Sequence, residues 1–231
     1  MAVGAGLLLG VVAPAAGASG PAPAPGIVLV HPGGFTGGTG TSLLPVADRL
    51  RAAGYAVSLP DYTLSNVGLA IRDVRRAAWV FHRQGRKVVL WGFSAGGTLA
   101  AAVAVRGHAD GAVIASSPTN LVDWRSPVGA GFGNDRFWAA MHPAATLAQR
   151  FAWSPVNRIR AGAARMLMFL SDDDPLVGVE QASELEAALQ ARGVTVDSLS
   201  MGASGHSFSV DYQTLAIQWI ARYWPVRSVD P

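Results

Sequence analysis

The segment Gly92-Phe93-Ser94-Ala95-Gly96 sets a serine between two glycines with the spacing G-x-S-x-G. A serine hydroxyl is a weak nucleophile until a base takes its proton and the side chain is held clear of the surrounding backbone. The spacing meets the second need. The serine of such a turn has a strained backbone, and its neighbours must lack a Cβ, which Gly92 and Gly96 do. The chemistry implied is attack on a carbonyl carbon, which also requires a base, a group to orient that base, and N–H donors for the oxyanion that forms.

Candidates for each role follow apolar runs that read as strands. Ser171-Asp172-Asp173-Asp174-Pro175-Leu176-Val177 follows the run Arg165–Leu170, and Gly202-Ala203-Ser204-Gly205-His206 follows Val194–Ser200. The chain order is therefore Ser, Asp, His, one of the orders in which this triad recurs. His206 is the expected base; His82 falls on a predicted helix, and His108 and His142 follow no strand. Of the three aspartates, Asp174 precedes a proline whose fixed φ suits a rigid turn that aims a side chain, whereas Asp172 and Asp173 read as solvated loop charges. For the oxyanion, the residue after the nucleophile, Ala95, offers one N–H. The loop His31-Pro32-Gly33-Gly34-Phe35 offers those of Gly33 and Gly34, with His31 expected to prop that loop.

The elements that must hold these groups alternate. Ile27–Val30, Tyr55–Leu59, Val88–Trp91, Gly111–Ala115, Arg165–Leu170 and Val194–Ser200 read as strands. Ser42–Ala53, Ser65–Gln84, Thr98 onward, Val179–Ala191 and about Ser209–Tyr223 read as helices. Such alternation calls for an α/β domain: a mostly parallel sheet of about six strands with helices on both faces. The connection from Ser116 to Ala164 is long and carries Trp124, Phe132, Phe137, Trp138, Met141, Phe151 and Trp153. Connections of that length tend to be functional. Either part of it covers the site and lines an apolar pocket, with Phe137 and Trp138 the residues to test, or its aromatics bury their own small helices.

Of the 231 residues, half are hydrophobic and 14 % are charged, with a formal net charge of +3 and no cysteine. This composition excludes a disordered chain, thiol catalysis and cysteine-based zinc sites, and no basic stripe interleaved with aromatics points to nucleic acid. Residues 1–47 hold no Asp, Glu, Lys or Arg, and Ala2–Ala13 is an apolar run too short to span a bilayer, followed by Ala16-Gly17-Ala18. Residues 1–18 therefore read as a secretory signal peptide, 19–25 as a Pro/Ala linker, and 26–231 as one catalytic domain.

Several stretches together resemble the α/β-hydrolase serine esterase/lipase superfamily, near its hormone-sensitive-lipase-like and acetyl-esterase-like members. His31-Pro32-Gly33-Gly34-Phe35 resembles the family's HGGGF oxyanion loop, and Gly92-Phe93-Ser94-Ala95-Gly96-Gly97 its GxSAGG turn. Asp61-Tyr62 with Leu64 and Ile71–Val74, then Ser154-Pro155-Val156, Asp174–Val177 and Gly205-His206-Ser207-Phe208, resemble the family's other stretches, so the likeness covers about residues 26–223. Pro32, Thr63 and Gly178 depart from its pattern. The resemblance implies the α/β-hydrolase fold in a short form without a cap domain, and so an open site that favours short acyl chains.

The expected activity is that of a secreted serine carboxylesterase acting on a small-molecule ester, with Ser94, Asp174 and His206 catalytic and Gly33, Gly34 and Ala95 forming the oxyanion hole. This chemistry needs neither a metal nor an organic cofactor. Acyl transfer or thioester hydrolysis by the same triad, or an idle scaffold used for binding, are the alternatives; nothing in the sequence predicts the extended groove of a peptidase.

Overall fold

Each apolar run expected to form a strand does so in the computed structural model, which describes residues 22–129 and 131–226. The expected signal peptide and the first residues of the linker lie outside the described residues. In chain order the elements are β1 (Gly26–Val30), α1 (Leu44–Ala52), β2 (Ala56–Ser58), α2 (Val67–Arg83), β3 (Val88–Phe93), α3 (Ala95–Ala104), β4 (Gly111–Ala115), α4 (Asp135–Ala139), α5 (Leu147–Trp153), β5 (Arg165–Leu170), α6 (Val179–Gln190), β6 (Val196–Ser200) and α7 (Val210–Tyr223). Ahead of β1, the carbonyl of Pro25 already accepts the N–H of Ala56, so pairing with the β2 side begins before the first strand.

All six strands pair in parallel, in the order β2-β1-β3-β4-β5-β6. Alternate residues feed two cores. Val28, Val30, Val88, Leu90, Ile114, Met166 and Met168 pack under α2, α3 and α6. Ile27, Leu29, Val89, Trp91, Val113, Leu167 and Phe169 pack under α1 and α7. Burial on both faces is why the strands read as unbroken apolar runs. The chain leaves β1 for β2 at one side and returns to β3 on the other, so the order in which strands are added reverses between β1 and β3. In open parallel sheets ligands sit beyond the strand ends at such a point.

What positions Ser94, the expected nucleophile, is the close seating of α3 on that reversal. A Cβ on Gly96 would lie 2.1 Å from the carbonyl oxygen of Val30, and one on Gly92 would lie 2.3 Å from the backbone of Gly96. α3 is buried at every position, so it has no freedom to lift away. Gly96→Ala is therefore expected to cost about 1–3 kcal/mol of stability through overpacking against backbone. Chemical denaturation measures it; an unchanged midpoint would show that α3 is not seated as described.

Candidate active site

Ser94 is the last residue before α3 and has φ 55° and ψ −126°, a conformation that an L-residue holds only when its surroundings force it. Its N–H donates to the Ala115 carbonyl of β4 at 2.9 Å, and Thr98 Oγ1 ties the first turn of α3 to the Pro118 carbonyl at 2.7 Å. The hydroxyl points out of the sheet to His206 Nε2, 3.0 Å away. On the other side of the imidazole, Nδ1 lies 3.0 and 2.9 Å from the two carboxylate oxygens of Asp174. The structure thus brings Ser94, His206 and Asp174 into one hydrogen-bonded chain, although they are far apart in sequence.

The Asp174 carboxylate is almost wholly buried, its side chain 1 % exposed. Burial alone would raise its pKa, but the His206 imidazole and the N–H groups of Leu176 and Val177, at 2.8 and 2.9 Å, outweigh burial and hold it below the ordinary carboxylate value. The other two aspartates differ from the solvated charges expected. Asp173 accepts from Gly205 N–H at 2.7 Å and from Ser171 Oγ at 2.8 Å, bonds that lower its pKa. Asp172 accepts from Ser200 Oγ at 2.9 Å. Both are exposed, yet they fasten the loop after β5 to the loop that carries His206. The ring of Phe93 packs 4.7 Å from the imidazole, with Phe208 stacked on Phe93 at 5.4 Å.

Gly33, Gly34 and Ala95 line the same cavity as Ser94 and His206. Ala95 is the first residue of α3, whose N–H has no acceptor within its own helix. The loop after β1 turns by unusual backbone: Gly33 has φ 130°, with a Cβ there meeting the Gly37 carbonyl at 2.0 Å, and Gly34 and Phe35 have φ 59° and 65°. His31 is fully buried beneath it. Its ring stacks on Tyr62 at 4.0 Å, its Nδ1 lies 2.8 Å from the Pro32 carbonyl, and its own carbonyl accepts from the Tyr62 hydroxyl.

The cavity measures about 240 Å³ and is walled by Phe93, Trp124, Phe132, Leu176 and Val177. Part of the long connection therefore lines it, through Trp124 and Phe132. Phe137 and Trp138 stand behind these, 5.8 and 6.1 Å from Trp124; α4 is held down by buried Trp138, whereas α5 packs through partly buried Trp153 and leaves Phe151 exposed. Trp124 Nε1 donates to the Leu176 carbonyl at 2.9 Å, joining the pocket wall to the acid loop. The aromatic content of the connection marked it as a candidate lining, but no periodicity separates Trp124 and Phe132 from their neighbours. The arrangement can activate a hydroxyl, receive an oxyanion and hold a small apolar group. Among the described residues, no helix is long and apolar enough to cross a membrane.

The model of the prolyl oligopeptidase family matches residues 74–224, a span that holds Ser94, Asp174 and His206. No curated protein matches the chain. Among solved structures, esterase 2 from the planctomycete Thermogutta terrifontis, with propionate bound, is 20 % identical with a TM-score of 0.73, over 93 % of this chain and 89 % of that one. A truncated carbohydrate esterase from gut microbiota is 17 % identical with a TM-score of 0.72, over 87 % and 86 %. Likeness at this level establishes the α/β-hydrolase fold.

The lowered Asp174 pKa makes a stability claim with a definite sign. A carboxylate held below its unfolded value of about 3.9 stabilises the fold above that pH, and the contribution is lost as pH falls through the folded pKa. The stability gap between the parent and Asp174→Asn is expected to be present at pH 7 and to shrink only below about pH 4. Urea denaturation from pH 7 to 3 measures it, and a gap that already closes near pH 6 would contradict this account.

Proposed function

The chain belongs to the prolyl oligopeptidase family, and from that footing we propose that it is a serine carboxylesterase that cleaves short-chain esters through a covalent acyl-enzyme. The observation that carries the reading is the chain of hydrogen bonds from Ser94 Oγ through His206 to buried Asp174, with the serine held at positive φ. Ser94 Oγ attacks the ester carbonyl carbon while His206 Nε2 takes its proton. Asp174 keeps the remaining proton on Nδ1, facing itself, and stabilises the imidazolium. The N–H groups of Ala95, Gly33 and Gly34 receive the oxyanion, each such donor lowering the barrier by about 3 kcal/mol. Collapse of the tetrahedral intermediate breaks the bond to the alcohol, which leaves with the His206 proton. Water, deprotonated by the same imidazole, then attacks the acyl-enzyme, and the acid and Ser94 are released.

A cavity of about 240 Å³ supports a short acyl group. The Thermogutta esterase, described with propionate and with butyrate bound, supports it by analogy. The family match favours a second reading, cleavage of a peptide bond at proline. Export rests on the apolar leader ending in Ala16-Gly17-Ala18; N-terminal sequencing of secreted protein would find cleavage after Ala18.

Hydrolysis of p-nitrophenyl esters from acetate to octanoate, beside prolyl p-nitroanilides, separates the two readings. Acetate to butyrate are expected to turn over fastest, and Ser94→Ala to lose about a thousandfold or more in kcat. Turnover of the anilides alone would replace the esterase reading, and no turnover with no labelling of Ser94 by a fluorophosphonate would leave a binding protein. Phe132→Ala is expected to raise kcat/KM for hexanoate relative to acetate by about tenfold, since each methylene placed in an apolar pocket is worth that order. Phe137→Ala, one row back, is expected to move this ratio less; an equal or larger shift would place the acyl group elsewhere.

A further inference from the structure

A second and larger hollow lies away from the catalytic cavity, against the outer face of α2. It measures about 680 Å³ and is lined by Arg72, Arg75, Arg76, Trp79, His82 and His108. A smaller hollow of about 130 Å³ adjoins it, sharing Arg72, Arg75 and His108 and adding Arg106 from the end of α3. Arg72, Arg75 and Arg76 stand at i, i+3 and i+4, so their guanidiniums share one turn of one helix face. Across from them the chain from Arg106 to His108 forms the other wall, and Arg158 and Arg160 lie close enough to repel Arg106.

This positive charge is not balanced from within. Among the described residues, none of these arginines stands within 4.0 Å of a carboxylate. Asp73, the one acid of the lining, is taken up by the N–H and hydroxyl of Thr63 at 2.9 and 2.7 Å. Burial, together with Arg158, Arg160 and Arg75, pushes the Arg106 guanidinium down to about 10. Burial, with Arg75, Arg160, Arg106 and His82, likewise holds the His108 imidazole below its usual value. Like charges gathered in a concavity focus a positive potential there, and forked guanidiniums suit tetrahedral oxyanions.

We propose that this hollow binds a ligand carrying two or more closely spaced oxyanions, as phosphate or sulfate esters do, independently of the catalytic cavity. Its concave shape suits a discrete ligand better than a lipid surface, which would touch only its rim. Nucleic acid would call for a series of stacking platforms, whereas the aromatic exposed here is Trp79 with Arg83 already set 5.0 Å over its ring.

The test is isothermal titration of the full chain with inorganic tripolyphosphate and with a heparin-derived tetrasaccharide at low salt. At least one is expected to bind at one site per chain, and which one identifies the oxyanion. Arg72→Gln with Arg75→Gln, both exposed, is expected to weaken binding about tenfold or more while ester hydrolysis stays unchanged. Arg72→Lys with Arg75→Lys should retain part of the affinity. Arg51→Gln with Arg192→Gln removes the same charge elsewhere and should leave binding intact. The proposal fails if neither probe binds, if the control pair weakens binding equally, or if phosphatidylglycerol vesicles bind where both soluble probes do not.

Discussion

The absence of side chains at Gly92 and Gly96 is the constraint on which the rest of the site depends. With nothing between them, the first turn of α3 comes down onto the carbonyls of Val30 and His31. That contact closes the turn after β3 tightly enough to hold Ser94 at φ 55°. It also brings the open N–H end of α3 to the loop after β1 and forces that loop to turn aside. The loop does so through Gly33, whose φ of 130° no other residue adopts at ease. The strained Ser94 and the glycine turn beside the N-terminal end of α3 are thus two results of one close approach between a helix and a strand.

Asp174 and His206 are set by a different device. Three consecutive aspartates after β5 each take a separate partner: Asp172 the hydroxyl of Ser200, Asp173 the N–H of Gly205, Asp174 the imidazole. The charge of Asp174 opposes ionisation of Asp173, and burial opposes that of Asp174, yet the hydrogen-bond donors around each overcome it. The outer two lock the β5 and β6 loops in mutual register, and the inner one meets the histidine that this register delivers.

Much of this was legible in the sequence because it rests on local signals. Period-two burial on both faces gave unbroken apolar runs for β1, β3 and β4, and Asn66 and Ser209 cap α2 and α7 within a residue or two of the expected starts. Ser94, Asp174 and His206 each follow a strand, and a parallel sheet gathers such positions at one end. What was not legible depends on tertiary contact. The linking of Asp172 and Asp173 to the histidine loop needs the spatial adjacency of β5 and β6. Likewise Trp124 and Phe132 differ from Phe137 and Trp138 only in which row of a packed cluster they occupy. The cationic hollow escaped because its arginines come singly or in pairs from α2, from the end of α3 and from the stretch before β5.

The peptide group between Leu176 and Val177 is engaged at both ends. Its carbonyl takes the Trp124 indole, and its N–H is given to Asp174. One rigid plane therefore belongs both to the wall that sizes the pocket and to the relay that ends at Ser94, and each bond polarises the other. Substitutions on the two sides of that plane will not contribute independently. A lineage that widened the pocket at Trp124 would at the same time loosen the carboxylate. Under the proposed function, changes of acyl preference would then be reached through Phe132, which is not bonded to that amide, before Trp124, so the order in which substitutions accumulate is constrained by a single amide.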